Sequence, residues 1–212
     1  MNTKDFEISP IQVVDSHAHI NIPEFDDDRR QLIHRSFEEG VESIHCPAEI
    51  TEPDRLEIAL KLSDEFPQIS VSAGVHPHAA KDFLPRCLET IRDLSSTGSI
   101  VAVGEIGLDF HYNFSSKEAQ LKTFRDQLAA AEKFGLPVVI HSRLAGAEVH
   151  QCVSDTKFSR GGVLHCYTED WEFAKKMLDL GFYISFSGIL TFPKAQDLRE
   201  AVSYTHLTLP TN

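Results

Sequence analysis

The chain has 212 residues, 42% of them hydrophobic, which suits one domain with a sizeable core. Its net charge of −12 excludes a broadly basic nucleic-acid binder, but not a nuclease whose positive charge is bound metal ions. No run of about 18 apolar residues and no apolar signal-peptide core is present, so we expect a cytoplasmic protein without membrane association.

Short apolar runs alternate with longer amphipathic segments along the chain. The apolar runs are rich in Val and Ile and are continuous, which is typical of strands buried on both faces. The amphipathic segments carry helix signals, such as acids or Pro at the start and Gly at the end. The predicted strands are 11–20, 41–49, 69–77, 99–109, 136–143, 161–167 and 182–189. The predicted helices are 26–40, 53–66, 85–96, 115–135, 144–157, 170–181 and 193–203.

Seven successive βα units predict an α/β protein with a parallel sheet, and specifically a (β/α)8 TIM barrel. Such a barrel closes with eight strands and has about 250 residues, so we expect one domain over 1–203 that lacks the eighth strand. The following segment, YTHLTLPTN, has no helical or strand period, and we interpret 204–212 as a non-native tail. Unpaired edges on the first and seventh strands are expected to weaken the fold.

Several histidines and one glutamate stand at the carboxyl ends of the predicted strands. His17 and His19 are two residues apart, so a strand directs both imidazoles to the same side. Parallel barrels build their active sites at this end of the sheet. Imidazole and carboxylate groups together suit divalent transition metals. The candidate metal ligands are His17, His19, Glu105, His141 and His165.

Five candidate ligands are more than one tetrahedral ion needs. We therefore predict two divalent metal ions, Mg, Mn or Zn, with the carboxylate of Glu105 bridging them as the catalytic residue. Two ions about 4 Å apart activate water and stabilise both the attacking and the leaving oxygen.

Further polar residues surround the predicted ligands. His76 and His78 are candidates for contact with a substrate phosphate, or for a turn held by the proline between them. Arg143 presents a planar guanidinium that either binds a phosphate or pairs with a neighbouring acid. We select His76 and Arg143 as substrate contacts. Asp109 either orients a metal ligand or caps a turn, and we expect the turn cap.

Five segments together resemble, in order and spacing, the motifs of the TatD family of metal-dependent deoxyribonucleases: DSHAHI, GVHPH, GEIGLDF, LPVVIHSR and HCYTEDWEFAKKMLDLGFYISFSGILTF. The resemblance covers residues 11 to about 203. It implies an amidohydrolase-type barrel with His17 and His19 on one ion, Glu105 bridging, and His141 and His165 on the other. The family completes its first metal site with an aspartate after the eighth strand. No such motif is found here, so we expect little activity from this chain.

We therefore expect a hydrolase that cleaves phosphodiester bonds of DNA, as an exonuclease, by metal-activated water. One alternative is another amidohydrolase-like enzyme acting on amides, lactones or phosphotriesters, since the fold does not fix the substrate. Against it, Glu105 stands where many such relatives place a bridging lysine. The second alternative is a non-catalytic metal-binding fragment, which the missing aspartate favours.

Overall fold

Seven parallel strands form one sheet in the sequential order β1 to β7 in a computed structural model that describes residues 13–204. The strands are β1 (Val13–Asp15), β2 (Val41–Glu49), β3 (Ile69–Gly74), β4 (Ala102–Asp109), β5 (Val138–Arg143), β6 (Gly162–His165) and β7 (Phe182–Ile184). A helix follows each strand: α1 (Arg29–Glu38), α2 (Pro53–Glu65), α3 (Pro85–Thr97), α4 (Lys117–Phe134), α5 (Gly146–Asp155), α6 (Trp171–Asp179) and α7 (Gln196–Tyr204). Short 3-10 helices lie at Pro23–Phe25, Pro77–Asp82 and Gly188–Thr191.

The predicted strands and helices are all present, with shorter bounds at most ends. Capping residues set several of these ends. The Asp170 carboxylate accepts the Phe173 N–H at the start of α6, and the Ser116 hydroxyl accepts the Ala119 N–H at the start of α4. Of the predicted tail, Tyr204 ends α7, and residues 205–212 lie outside the described range.

The sheet is an open, curled barrel wall. Each strand pairs with the next, and within residues 13–204 no strand joins β7 back to β1, as expected for a barrel lacking its eighth strand. The prediction of strands buried on both faces is confirmed for β4, where every residue is buried. It is wrong for β1, where Val13 and Val14 are 48% and 58% exposed. The physical reason is that β1 borders the open side of the sheet.

Close packing of β4 on β5 depends on glycine. Gly107 has a φ of +142°, and a Cβ atom there would lie 2.0 Å from the carbonyl oxygen of His141. A Cβ at Gly104 would lie 2.6 Å from the Cβ of Val139. Glycine at these two positions therefore lets β4 approach β5 closely, and this approach sets the distance between Glu105 on β4 and His141 on β5.

The carboxyl ends of the strands meet at one edge of the sheet, where the register aligns the predicted site residues. Gly107 on β4 pairs with His141 on β5, which in turn pairs with His165 on β6. His17 and His19 follow the end of β1. In the described part of the chain, no helix is both long and apolar enough to cross a membrane.

Candidate metal centre

Glu105, on β4, is the residue around which the site is built, and it is only 7% exposed. Its Oε2 atom lies 3.2 Å from His17 Nε2 and 3.8 Å from His19 Nε2. Its Oε1 atom lies 3.0 Å from His141 Nδ1 and 3.6 Å from His76 Nε2. The single carboxylate thus joins two groups, each of which could hold a metal ion: His17, His19 and Glu105 on one side, and His76, Glu105 and His141 on the other.

His165 occupies a different position from the other predicted ligands. Its ring stacks on that of His17, with 3.3 Å between centroids and 13° between planes. His76, selected from the sequence as a substrate contact, stands in the second group instead, beside His141. The sequence predicted that all of these histidines lie at the same edge of the sheet, and they do. Whether His76 or His165 stands beside Glu105 and His141 depends on the orientation of the rings.

The donor set fits a divalent cation. Within residues 13–204, His17 Nδ1 and His165 Nδ1 are buried without a hydrogen-bond partner. A buried polar atom left unpaired costs free energy, so these nitrogens favour a site that a ligand completes. Imidazole nitrogens with a shared carboxylate are the ligands that borderline divalent metals prefer.

The electrostatics of the cluster keep Glu105 ionised. Burial alone opposes its charge, but hydrogen bonds from His141, His17 and His76 outweigh burial and hold the pKa of the carboxyl well below its ordinary value. The result is a buried anion shared between the two histidine groups. An anion in this position attracts cations.

Burial favours the neutral form of three of the histidines. Burial lowers the pKa values of His19 and His76, and it lowers that of His165 to about 4, with the neighbouring His17 adding to the effect. A neutral imidazole offers the lone pair that a metal ligand needs. His141 differs: burial opposes its protonation, but Glu105 and Asp109 together raise its pKa.

Asp109, at the end of β4, has two functions in the fold. Its Oδ1 atom accepts the backbone N–H groups of His111 and Tyr112, which confirms the predicted turn cap. Its Oδ2 atom lies 3.0 Å from His141 Nε2 and 2.9 Å from His78 Nε2. Burial opposes the charge, yet these contacts lower the pKa of the carboxyl to about 2. The contact with His141 is the alternative that the sequence left open, in which Asp109 orients a candidate metal ligand.

Arg143 ends β5 at the rim of the site. Its guanidinium lies over the ring of Tyr112, with Cζ 4.8 Å from the centroid. No carboxylate in the described range forms an ion pair with it, so the alternative of a salt bridge is not what the structure contains. Its positive charge is therefore available to an anion.

A cavity of about 320 Å³ opens beside the two groups. His19, His76 and Glu105 line it together with Asn21, Glu49 and Arg55. Glu49 accepts the backbone N–H of His76 at 2.8 Å, and burial raises its pKa. Glu49 was not among the residues predicted from the sequence. It nevertheless stands at the carboxyl end of its strand, β2, as the predicted site residues do on theirs.

The fold and this cluster together define a class, the metal-dependent hydrolases built on a parallel βα barrel. The family model described as TatD related DNase matches residues 14–209, and the chain belongs to that family.

Relatives and solved structures agree with this assignment. The chain is 36% identical over 191 residues to a Bacillus subtilis (strain 168) protein named uncharacterized metal-dependent hydrolase YabD, covering 89% of this chain and 73% of YabD. It is 36% identical over 170 residues to a Rahnella sp. (strain Y9602) protein named 3'-5' ssDNA/RNA exonuclease TatD, covering 78% and 63%. The crystal structure of YjjV, a TatD homologue from Escherichia coli K12, superposes with a TM-score of 0.81 at 27% identity, covering 90% and 74%. The chain spans only 55% of the length of another relative, an Escherichia coli (strain K12) protein named uncharacterized metal-dependent hydrolase YcfH.

Proposed function

We propose that this protein hydrolyses phosphodiester bonds at the ends of DNA strands, using two divalent ions held around Glu105. The observation that carries the proposal is the position of the Glu105 carboxylate, with one oxygen toward His17 and His19 and the other toward His141. A relative named as a single-strand DNA and RNA exonuclease supports the choice of substrate.

Each residue has a defined task in this proposal. Glu105 supplies the shared negative charge, and His17, His19, His141 and His165 supply imidazole nitrogens, with the unpartnered Nδ1 of His165 supporting its role. When bound, divalent ions provide Lewis-acid activation of water and stabilise the charge that develops on phosphoryl oxygens.

The residues around the ligands position the reacting groups. Asp109 contacts His141 Nε2, so it fixes the ring that faces Glu105. Glu49 holds the backbone of His76. Arg143, at the rim, places a fixed positive charge where a substrate phosphate enters, and a planar guanidinium binds two phosphate oxygens at once. His76, whose Nε2 lies near Glu105, contributes either to the ion on that side or to the same phosphate.

The test is metal-dependent hydrolysis compared across substrate classes. The chelated protein is reloaded with Mg, Mn or Zn and given end-labelled single-stranded DNA, and in parallel an amide, a lactone and a phosphotriester. We expect slow stepwise release of nucleotides from one end, slow because the aspartate motif that completes the family's first metal site is not found in this sequence. The rate should decrease by about a further 100-fold for Glu105→Ala, the scale of losing a catalytic electrostatic group. Glu65→Ala, which removes only a surface ion pair with Arg30, is the matched control.

Two outcomes would contradict the proposal. One is hydrolysis of the amide or lactone at rates far above those for DNA, which would identify another amidohydrolase-like enzyme. The other is nucleolytic activity that Glu105→Ala leaves unchanged, because the activity would then come from a different site or a contaminant.

A further inference from the structure

Two glutamines of α4 are buried against the carboxyl ends of β3 and β4. Gln120 and Gln127 are both 0% exposed. They stand seven residues apart, which is about two helical turns, so both lie on one face of the helix. Burying an amide costs free energy unless hydrogen bonds replace those it makes with water, whereas an apolar side chain of the same size carries no such cost. The hydrogen bonds of these two side chains therefore indicate what the glutamines do.

Each glutamine pairs with one residue of the backbone in the way that a neighbouring strand would. The Val75 N–H donates to Gln127 Oε1 at 2.7 Å, and Gln127 Nε2 donates to the Val75 carbonyl at 3.0 Å. Gln120 forms the same two bonds with Asp109, at 2.8 and 3.0 Å. Each side-chain amide thus satisfies both backbone groups of one residue. We call these two side chains the glutamine clamps.

The clamps lie where the sheet no longer supplies such bonds. In the described range, 13–204, β3 pairs with β4 through two residue pairs, Ser72 with Ala102 and Ala73 with Val103. The Phe110 N–H donates to β5, and backbone groups alternate in direction along a strand, so those of Asp109 point away from β5. By the same alternation the groups of Val75 point away from β2, because the Gly74 carbonyl accepts from Ile50 after β2. Left unpaired, these buried backbone groups would destabilise the two strand ends.

Both clamped residues adjoin the same group of candidate metal ligands. Val75 immediately precedes His76, whose Nε2 atom lies 3.6 Å from Glu105 Oε1. The carboxylate of Asp109 lies 3.0 Å from His141 Nε2, on the ring whose Nδ1 faces Glu105. A clamp that fixes the backbone of Val75 or Asp109 therefore fixes the direction of one of these two imidazoles.

The other group of candidate ligands is held by different contacts. His17 and His19 follow β1, and the N–H of Ala18 between them donates to the carbonyl of His45 on β2 at 2.9 Å. The N–H of His17 donates to the Asp15 carboxylate at 3.1 Å. Loss of a clamp should consequently act on one side of Glu105 and not equally on both.

We propose that Gln120 and Gln127 are positioning residues for the ion on the His141 side of Glu105. They take the place of strand pairing between the ends of β3 and β4, and they hold His76 and Asp109 where His76 and His141 face the carboxylate. This inference rests on the proposed function, because it requires the two ions. It adds two buried residues that act on one of those ions through their neighbours.

Binding of Co²⁺ tests the proposal without turnover. Co²⁺ is titrated into the chelated protein, and its visible absorption reports both the affinity and the coordination geometry of each ion. His141→Ala and His19→Ala first identify which binding step belongs to which group. Gln127→Met and Gln120→Met keep a long side chain but lose the hydrogen bonds. Each should weaken the His141-side ion by about 10-fold or more and alter its spectrum, the scale expected for a residue that orients a metal ligand. The affinity and spectrum of the other ion should stay close to those of the unsubstituted protein.

Two control variants separate positioning from a general loss of stability. Leu128→Ala truncates a side chain that is 0% exposed and adjacent to Gln127 on α4. It should lower the urea midpoint, because it leaves a cavity, while both Co²⁺ affinities of the native protein remain unchanged. Gln151→Met replaces an exposed glutamine that contacts Asp155 within α5, and it should change neither stability nor binding.

Amide hydrogen exchange tests the clamps in the unsubstituted protein, so the proposal does not depend on whether a variant folds. The amides of Val75 and Asp109 should exchange as slowly as that of Val103, whose N–H donates to the Pro137 carbonyl beside β5. Exchange as fast as in an exposed loop would show that the clamps are open in solution and would overturn the proposal.

The outcomes keep the two proposals apart. Equal weakening of both ions by Gln127→Met, or equal effects of Gln127→Met and Leu128→Ala on binding, would overturn the positioning role. Selective weakening of one ion, in a protein that hydrolyses no oligonucleotide, would support the clamps and contradict the nuclease proposal. Hydrolysis by a protein whose two ions bind Gln127→Met and Gln120→Met unchanged would overturn the clamps and leave the nuclease proposal intact. Binding of no Co²⁺ at all would overturn both.

Discussion

Replacing Gly107 by alanine should damage the fold and the candidate metal centre together. The added Cβ would lie 2.0 Å from the carbonyl oxygen of His141, whereas contacts of real Cβ atoms are essentially never under 3.0 Å. The backbones of β4 and β5 must therefore separate by about 1 Å at the point where His141 faces Glu105. Because the neighbouring atom belongs to the backbone and not to a flexible side chain, no rotamer change can relieve the overlap.

The magnitude follows from two contributions. A φ of +142° is a region used almost only by glycine, and alanine there costs about 1–3 kcal/mol. Overpacking a close-packed interior costs about 1–3 kcal/mol more. We expect the free energy of unfolding to fall by about 2–6 kcal/mol, a large part of the stability of an ordinary domain. A displacement of about 1 Å at a catalytic group can lower a rate by about 100-fold.

Urea unfolding, monitored by circular dichroism, measures the free energy of unfolding of each variant. A competitive chelator titration measures its metal affinity. Gly98→Ala is the first control, since Gly98 has a φ of +72° but nothing within 4 Å of the added atom, and it should cost only about 1–2 kcal/mol. Gly162→Ala is the second control. The added Cβ would lie 2.1 Å from the carbonyl oxygen of Val138, so the overlap is similar, but it lies at the start of β5 and β6, away from Glu105. Gly107→Ala no more destabilised than Gly98→Ala would refute this reasoning.

Three other predictions follow from the same contacts. Asp109→Asn removes the charge that orients His141, so metal affinity should fall by about 10–100-fold in a chelator titration, and an unchanged affinity would contradict that role. Burial of His45 between the hydroxyls of Ser70 and Ser72 lowers its pKa to about 4, so the unfolded chain, with a pKa of about 6.5, binds more protons between these values. The native state should therefore lose about 2 kcal/mol from this group between pH 7 and pH 5, and urea unfolding of His45→Gln should show a correspondingly smaller loss. Finally, free metal at 100 times its Kd should raise the free energy of unfolding by about 2.7 kcal/mol for each ion that binds, relative to the chelated protein, whereas no shift in the urea midpoint would show that no ion binds the native state.

The sequence was sufficient for the order of the elements and the edge where the site lies. Strands such as β4 are buried along their whole length, so their composition is continuous and apolar. Parallel strands all end at one edge, so a histidine or acid at a strand end marks the site whatever the details of packing. For this reason the sequence placed Glu105 and His141 correctly relative to the sheet.

What the sequence could not provide depends on contacts between distant segments. The hydrogen bonds that the Asp109 carboxylate accepts from His78 and His141 span 31 and 32 residues, and they depend on the side-chain orientations that packing selects. The same applies to the stacking of His165 on His17, which no periodicity encodes. The exposure of β1 likewise follows from its place beside the open side of the sheet and not from its apolar composition.

The central claim is that Glu105 joins two ion-binding groups, and electron paramagnetic resonance during a Mn²⁺ titration tests it most directly. We expect two Mn²⁺ ions per chain with a spin-coupled spectrum, because the Glu105 carboxylate is shared by both histidine groups. Glu105→Ala should lose the coupling and weaken the binding of both ions, whereas the Glu65→Ala control should retain both. A single uncoupled ion per chain, or a coupled pair that persists in Glu105→Ala, would contradict the account.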